Sequence, residues 1–254
     1  MTEPMRPSPR HKTAALFITC LVDQLFPDIG IAVVRLLDHL GIETVFPADQ
    51  TCCGQPAFNA GFQDDARRVA RNTINALAGA ELVVTPSGSC AAMIRRYYPE
   101  LFQDDPAMRA KANWVAAITW ELTEYLVDGL GITDLGAKLP PVRVAYHDAC
   151  HGLRMLGLKE QGRKLVAGID GVTLVEMPGA EECCGFGGLF AVKLPEISAA
   201  MLHAKLDLIA QVDVDYVVTG DAGCLAQING GFSRKGQAQK VIHIADLLAR
   251  GLEY

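Results

Sequence analysis

Eight cysteines stand in a chain of 254 residues, and their order repeats. Cys20, Cys52-Cys53-Gly54 and Cys90 are followed by Cys150, Cys183-Cys184-Gly185 and Cys224. Four thiols per repeat are enough to ligate a metal ion or a cuboidal iron–sulfur cluster. The spacing matches neither the close cysteine pairs of a zinc finger nor the Cys-x-x-Cys run of a bacterial ferredoxin. Adjacent cysteines project in divergent directions, so each vicinal pair suits two irons of a polynuclear cluster better than one tetrahedral ion.

Other chemistry-bearing residues gather around these landmarks. Gly54 and Gly185 follow the pairs, and the second copy continues through Phe186 to Gly187 and Gly188. Glycines let the backbone come close and turn N–H groups toward cluster sulfurs or a bound anion. His147 and His151 flank Cys150, with Asp148 between them, and place a proton-transfer group and a carboxylate beside thiols. Either histidine could instead cap a helix or satisfy a buried carbonyl. The first repeat has no such histidine pair, which marks the second as the specialised half. Met93 follows Cys90 by three positions and Gln227 follows Cys224 likewise, so neither repeat gains a further thiol there.

Thiols this far apart in sequence meet only if the fold gathers them. Shifting the chain against itself by about 130 residues superimposes all the cysteine landmarks, and Leu82–Cys90 on Tyr216–Cys224, the signature of an internal duplication. In the first copy, strands are expected over Ala15–Thr19, Glu43–Phe46 and Leu82–Thr85, with helices over Asp28–Leu40 and Gln63–Leu77. The second repeats them as strands Arg143–Tyr146, Thr173–Glu176 and Tyr216–Thr219 with helices Lys159–Ala167 and Glu196–Ile209. Alternation of this kind predicts an α/β fold of two similar halves, each a small parallel sheet flanked by helices. The halves are expected at 1–131, with 1–12 a frayed tail, and at 141–254, joined by the Gly- and Pro-bearing segment Gly131–Pro141. Every cysteine landmark then falls just past the C-terminal end of a strand, the edge where open parallel sheets bind ligands.

Composition narrows the function. Half of the residues are hydrophobic, enough for a substantial core, yet no apolar run reaches the length of a membrane span. The N-terminal segment lacks the pattern of a signal peptide, so a cytoplasmic protein with reduced thiols is expected. The net charge of −6 and the scattered bases argue against nucleic-acid binding. Dinucleotide, phosphate-loop, nucleophile-elbow and His-Glu-x-x-His motifs are missing from the sequence, which disfavours a self-contained flavin or nicotinamide dehydrogenase.

The doubled Cys…Cys-Cys-Gly…Cys pattern resembles the cysteine-rich CCG-domain family, which includes the CCG-bearing chain of heterodisulfide reductase and the C-terminal part of the glycolate oxidase iron–sulfur subunit. The likeness covers nearly the whole chain. The segments Pro86–Cys90, Tyr146–His151 and Cys183–Gly188 are most similar to its lactate-utilization branch. That resemblance implies an iron–sulfur electron-transfer subunit, not active alone, of a complex that oxidises L-lactate to pyruvate. Its implied partners are a ferredoxin-like iron–sulfur protein and a third subunit, with a small 2-hydroxy acid as a candidate substrate. The implied metal ligands are the eight cysteines, with Gly54, Gly185, Gly187 and Gly188 lining the cofactor and His147 and His151 in catalysis. The fuller family pattern ends each motif in Cys-x-x-Cys, and its absence here speaks against the five-thiol non-cubane cluster. Four thiols suit a 4Fe–4S cluster, or zinc in one half. Two other readings stay open: a structural zinc protein that docks a partner, and a thiol/disulfide oxidoreductase of the heterodisulfide reductase type, which strain in a vicinal disulfide disfavours.

Overall fold

The computed structural model describes residues 6–238 and 240–253. Short β-branched runs form the strands, and each is followed by a helix that carries the chain back to begin the next, so all pairings are parallel. β1 (Thr13–Leu16), β2 (Glu43–Val45), β3 (Val83–Thr85) and β4 (Thr119–Glu121) make one sheet in the order β2-β1-β3-β4. β5 (Lys138–His147), β6 (Asp170–Val175), β7 (Tyr216–Thr219) and β8 (Val241–His243) make a second in the order β6-β5-β7-β8. The same order twice means that the duplication is one of topology as well as of cysteines. Register repeats too: Leu16 lies opposite Val84 as Tyr146 lies opposite Val218. One residue further on, Phe17 in the first half takes the place of His147 in the second.

Strand alternation divides the first sheet's side chains between two cores. Ala15, Phe17 and Val83 pack on a cluster confined to the first half, whereas Ala14, Leu16, Leu82, Val84 and Trp120 join a core that continues into the second. The helix Pro27–His39 adds Ile29, Val33, Leu36 and Leu37 to that shared core, spaced to form one helical face. It packs against the helix Ile244–Leu252, where Leu247 and Leu248 are buried. The two halves are therefore held together by apolar burial. No helix among the described residues is long and apolar enough to cross a membrane.

The core helices and inner strands lie within a few residues of the positions expected from sequence, but each half has four strands where three were expected. β4 and β8, of three residues each, complete the sheets at one edge. The Pro140-Pro141 pair, expected in a linker, lies inside β5, where the register shifts between Lys138 and Val142 and a missing N–H is tolerated. The expected tail also differs. Residues 1–5 fall outside the described residues, but Arg6 is docked: it donates to Glu124 Oε1 at 2.8 Å and to the Thr119 carbonyl, and its guanidinium lies 3.4 Å from the Trp120 ring centre. Arg95 holds the same carboxylate at 2.8 and 2.9 Å.

At the end of β5, Asp148 has no exposed side-chain surface and accepts two hydrogen bonds from Arg163, at 2.7 and 2.9 Å. Breaking a buried pair strands one charge and costs about 3–5 kcal/mol. Arg163→Met should lower the unfolding free energy in a denaturant titration by about 3 kcal/mol; a change under about 1 kcal/mol would show that the pair does not secure this strand end.

Candidate metal centre

Each cysteine follows a strand at the C-terminal edge of its sheet. Cys20 and Cys150 open the helices Cys20–Leu25 and Cys150–Leu156 after β1 and β5. Cys90 and Cys224 lie in the first turns of the helices Gly88–Ala92 and Ala222–Arg234 after β3 and β7. The vicinal pairs occupy the loops after β2 and β6, and these loops are held through their backbone. Gln50 donates to the Leu16 and Pro47 carbonyls and accepts from the Ile18 N–H. The Tyr98 hydroxyl donates to the Cys53 carbonyl at 2.9 Å. In the second half the Asp148 N–H donates to the Ala180 carbonyl, and Lys205, almost fully buried, donates to the Gly179 carbonyl at 2.6 Å.

All eight cysteines, none in a disulfide, line one cavity of ≈ 350 Å³ between the halves. Cys20 Sγ lies 3.6 Å from Cys52 Sγ, and Cys184 Sγ 3.3 Å from Cys224 Sγ. Gly54 and Gly185, both at positive φ, aim their N–H groups at Cys52 Sγ and Cys183 Sγ from 3.4 Å. Cys52 and Cys183 are accordingly pulled well below the usual thiol range, first by the hydrogen bonds from Cys20 and Cys150, with the glycine N–H groups assisting. Cys53 and Cys184 move the other way because they donate to those same sulfurs and are buried. These hydrogen bonds favour the thiolate at Cys52 and Cys183, and metal binding would displace the protons of the thiols it ligates.

Gly187, Gly188 and His151 also line the cavity, with His151 Nδ1 3.6 Å from Cys150 Sγ. Gly54 and Gly185 stand behind it and reach it only through the sulfurs. His147 lies deeper, its Nδ1 3.2 Å from the Ala180 carbonyl, and burial, ahead of the nearby Lys205 cation, pushes it down to about 3, so the ring is neutral. Asp148, tied to Arg163, is not a free carboxylate. The positions where the fuller family pattern has a further thiol are occupied otherwise: Met93 is buried in the first-half core, and Gln227 donates to Ser198 Oγ at 3.0 Å.

Sequence reasoning missed the groups that join the halves beneath the thiols. Asp221 caps its helix on the Gly223 N–H and also accepts from the Ser87 hydroxyl and the Ser89 N–H of the other half, each at 3.0 Å. His243 bonds across the same junction to the Pro86 carbonyl at 3.2 Å. Superimposing the turns Pro86–Ser89 and Gly220–Gly223 was the available signal: both precede a cysteine in a helical first turn.

With this geometry, comparison with known proteins is decisive. A family described as a cysteine-rich domain, CCG, matches twice, over residues 14–95 and 144–229. The chain belongs to the CCG cysteine-rich domain family. CCG relatives cover almost its full length: lactate utilization protein A of Exiguobacterium sp. is 46% identical over 241 residues, 94% of this chain and 98% of the relative. Lactate utilization protein A of Geobacillus thermodenitrificans is 46% identical over 234 residues, 92% of this chain and 97% of the relative. Among solved structures, a hypothetical protein from Helicobacter pylori shares the fold at a TM-score of 0.65 and 13% identity; the match covers 99% of this chain, which spans 51% of that protein.

The CCG glycines are not equally demanding. A Cβ on Gly185 would lie 2.6 Å from the Ser198 carbonyl oxygen, whereas one on Gly54 meets only ordinary contacts with Val69 and Ala66 at 3.4 to 3.5 Å. Gly54→Ala should cost about 1 kcal/mol, the left-handed backbone alone, and Gly185→Ala about 2 kcal/mol or more in the same denaturant titration. Equal losses would show that the clash at Gly185 is relieved.

Proposed function

We propose that this chain is an iron–sulfur electron-transfer subunit of a complex that oxidises L-lactate to pyruvate, working with a ferredoxin-like iron–sulfur protein and a third subunit. The observation that carries this reading is the convergence of eight free thiols on one cavity. The names of the full-length relatives supply the lactate connection. A cysteine-ligated cluster, when bound, supplies one-electron storage and transfer.

The chain's own residues are suited to hold and insulate such a group. Eight cysteines offer sulfur donors, Gly54 and Gly185 direct N–H dipoles at two of those sulfurs, and Phe186, Phe190 and Met201 limit water in the cavity. Gly187 and Gly188 let the backbone approach from the second half. His151 stands beside Cys150 as a proton acceptor. Conversion of lactate to pyruvate releases two electrons and two protons, and a multi-subunit complex must carry both away. The residues lining the cavity include Asp221 but no lysine or arginine. This favours an electron relay over a 2-hydroxy-acid carboxylate site in this chain and puts lactate binding on a partner.

A structural zinc centre in one half is a second reading, favoured by the grouping of His147 with Cys184 and Cys224. Anaerobic iron, sulfide and zinc analysis with EPR of the dithionite-reduced protein separates the two. About four irons and four sulfides per occupied site, falling in Cys184→Ser, are expected; zinc alone in the anaerobic protein would overturn the electron-transfer reading.

A further inference from the structure

The two thiol sets differ in what stands behind them. His147 is 0% exposed. Its Nδ1 faces the Ala180 carbonyl at 3.2 Å, and a carbonyl can only accept, so the ring proton is on Nδ1 and the lone pair is on Nε2. That Nε2 is buried and has no hydrogen-bond partner. An unsatisfied buried polar atom is costly, and it calls for an explanation such as an ion. A ring nitrogen of His147 and the sulfurs of Cys184 and Cys224 lie within 4.8 Å of one another. One ion with nitrogen and sulfur bonds of about 2.0–2.3 Å spans close to that separation. Ligating histidines usually donate their other ring N–H to a carboxylate or backbone carbonyl, and the Ala180 contact already has this form. At the matching position of the first half stands Phe17, which has no donor atom.

We propose that His147 is a metal ligand of the second thiol set, bonding through Nε2 beside Cys184 and Cys224. The second half then holds a centre of mixed nitrogen and sulfur ligation, and the first half one with thiolate ligands alone. The inference rests on the metal-centre reading above and changes one role expected from sequence: a lone pair committed to a metal collects no proton, which leaves His151 as the cavity's proton acceptor. It also gives the second set an additional donor where Gln227 has turned away to Ser198.

The probe is Co²⁺, titrated without oxygen into the reduced, metal-free full chain labelled with ¹⁵N-histidine. Wild type should show thiolate-to-cobalt absorption and a directly bonded nitrogen coupling in electron–nuclear double resonance. His147→Phe, which installs the first-half residue, and His147→Gln, which retains a side-chain amide to meet the Ala180 carbonyl, should both lose the coupling and weaken one class of site about tenfold or more. His151→Phe should keep the coupling. Circular dichroism of both His147 variants shows whether the fold survives, and the glutamine variant decides if the phenylalanine one does not fold. Cobalt–thiolate absorption with no nitrogen coupling in wild type, or a coupling that persists in His147→Gln, would overturn the proposal and leave the metal-centre reading standing. No cobalt–thiolate absorption in wild type would overturn both.

Discussion

The close approach of the two halves beneath the thiols is the constraint from which the shared cavity follows. Gly88 and Gly152 face each other so tightly that a Cβ on Gly88 would lie 2.9 Å from the Gly152 Cα. Beside them, the Asp221 carboxylate accepts a hydroxyl and a backbone N–H from the opposite half while capping its own helix. These contacts place the C-terminal edges of two separate sheets around one space. Without them each sheet would present four thiols to solvent, a weaker environment for a redox centre because water and oxygen would reach the sulfurs.

The two halves share one topology but are chemically unequal. Phe17 stands where the second half has His147, and with the helix Gln63–Leu77 aligned on Pro195–Ile209, Thr73 stands where the second half has Lys205. Thr73 donates to the Cys52 carbonyl, whereas Lys205 reaches the Gly179 carbonyl and carries a cation behind the second thiol set. Burial lowers the Lys205 pKa, so its setting resists the charge that the nearby thiolates favour. A centre bound in the second half would therefore meet a different field from one in the first.

The cysteine spacing and the strand–helix alternation carried the fold class, the duplication and the sheet edge, because each rests on local pattern repeated twice. The helix Gln63–Leu77 shows why: its apolar spacing is long and regular, so its limits are legible. β4 and β8 were not, since three residues between helices leave too little alternation to detect. Pro140-Pro141 signalled a linker by composition, but tertiary pairing drew it into the irregular start of β5. Long-range polar contacts were also beyond reach: nothing local in Arg6, Asp221 or His243 specifies a partner more than a hundred residues away.

That both thiol sets hold their centres in one common cavity is tested most directly by anomalous diffraction at the iron and zinc absorption edges, on crystals grown and frozen without oxygen. Metal peaks at both sets, facing each other across the junction of Gly88 with Gly152, are the expected result. Eight unligated cysteines, or metal bound away from them, would contradict it.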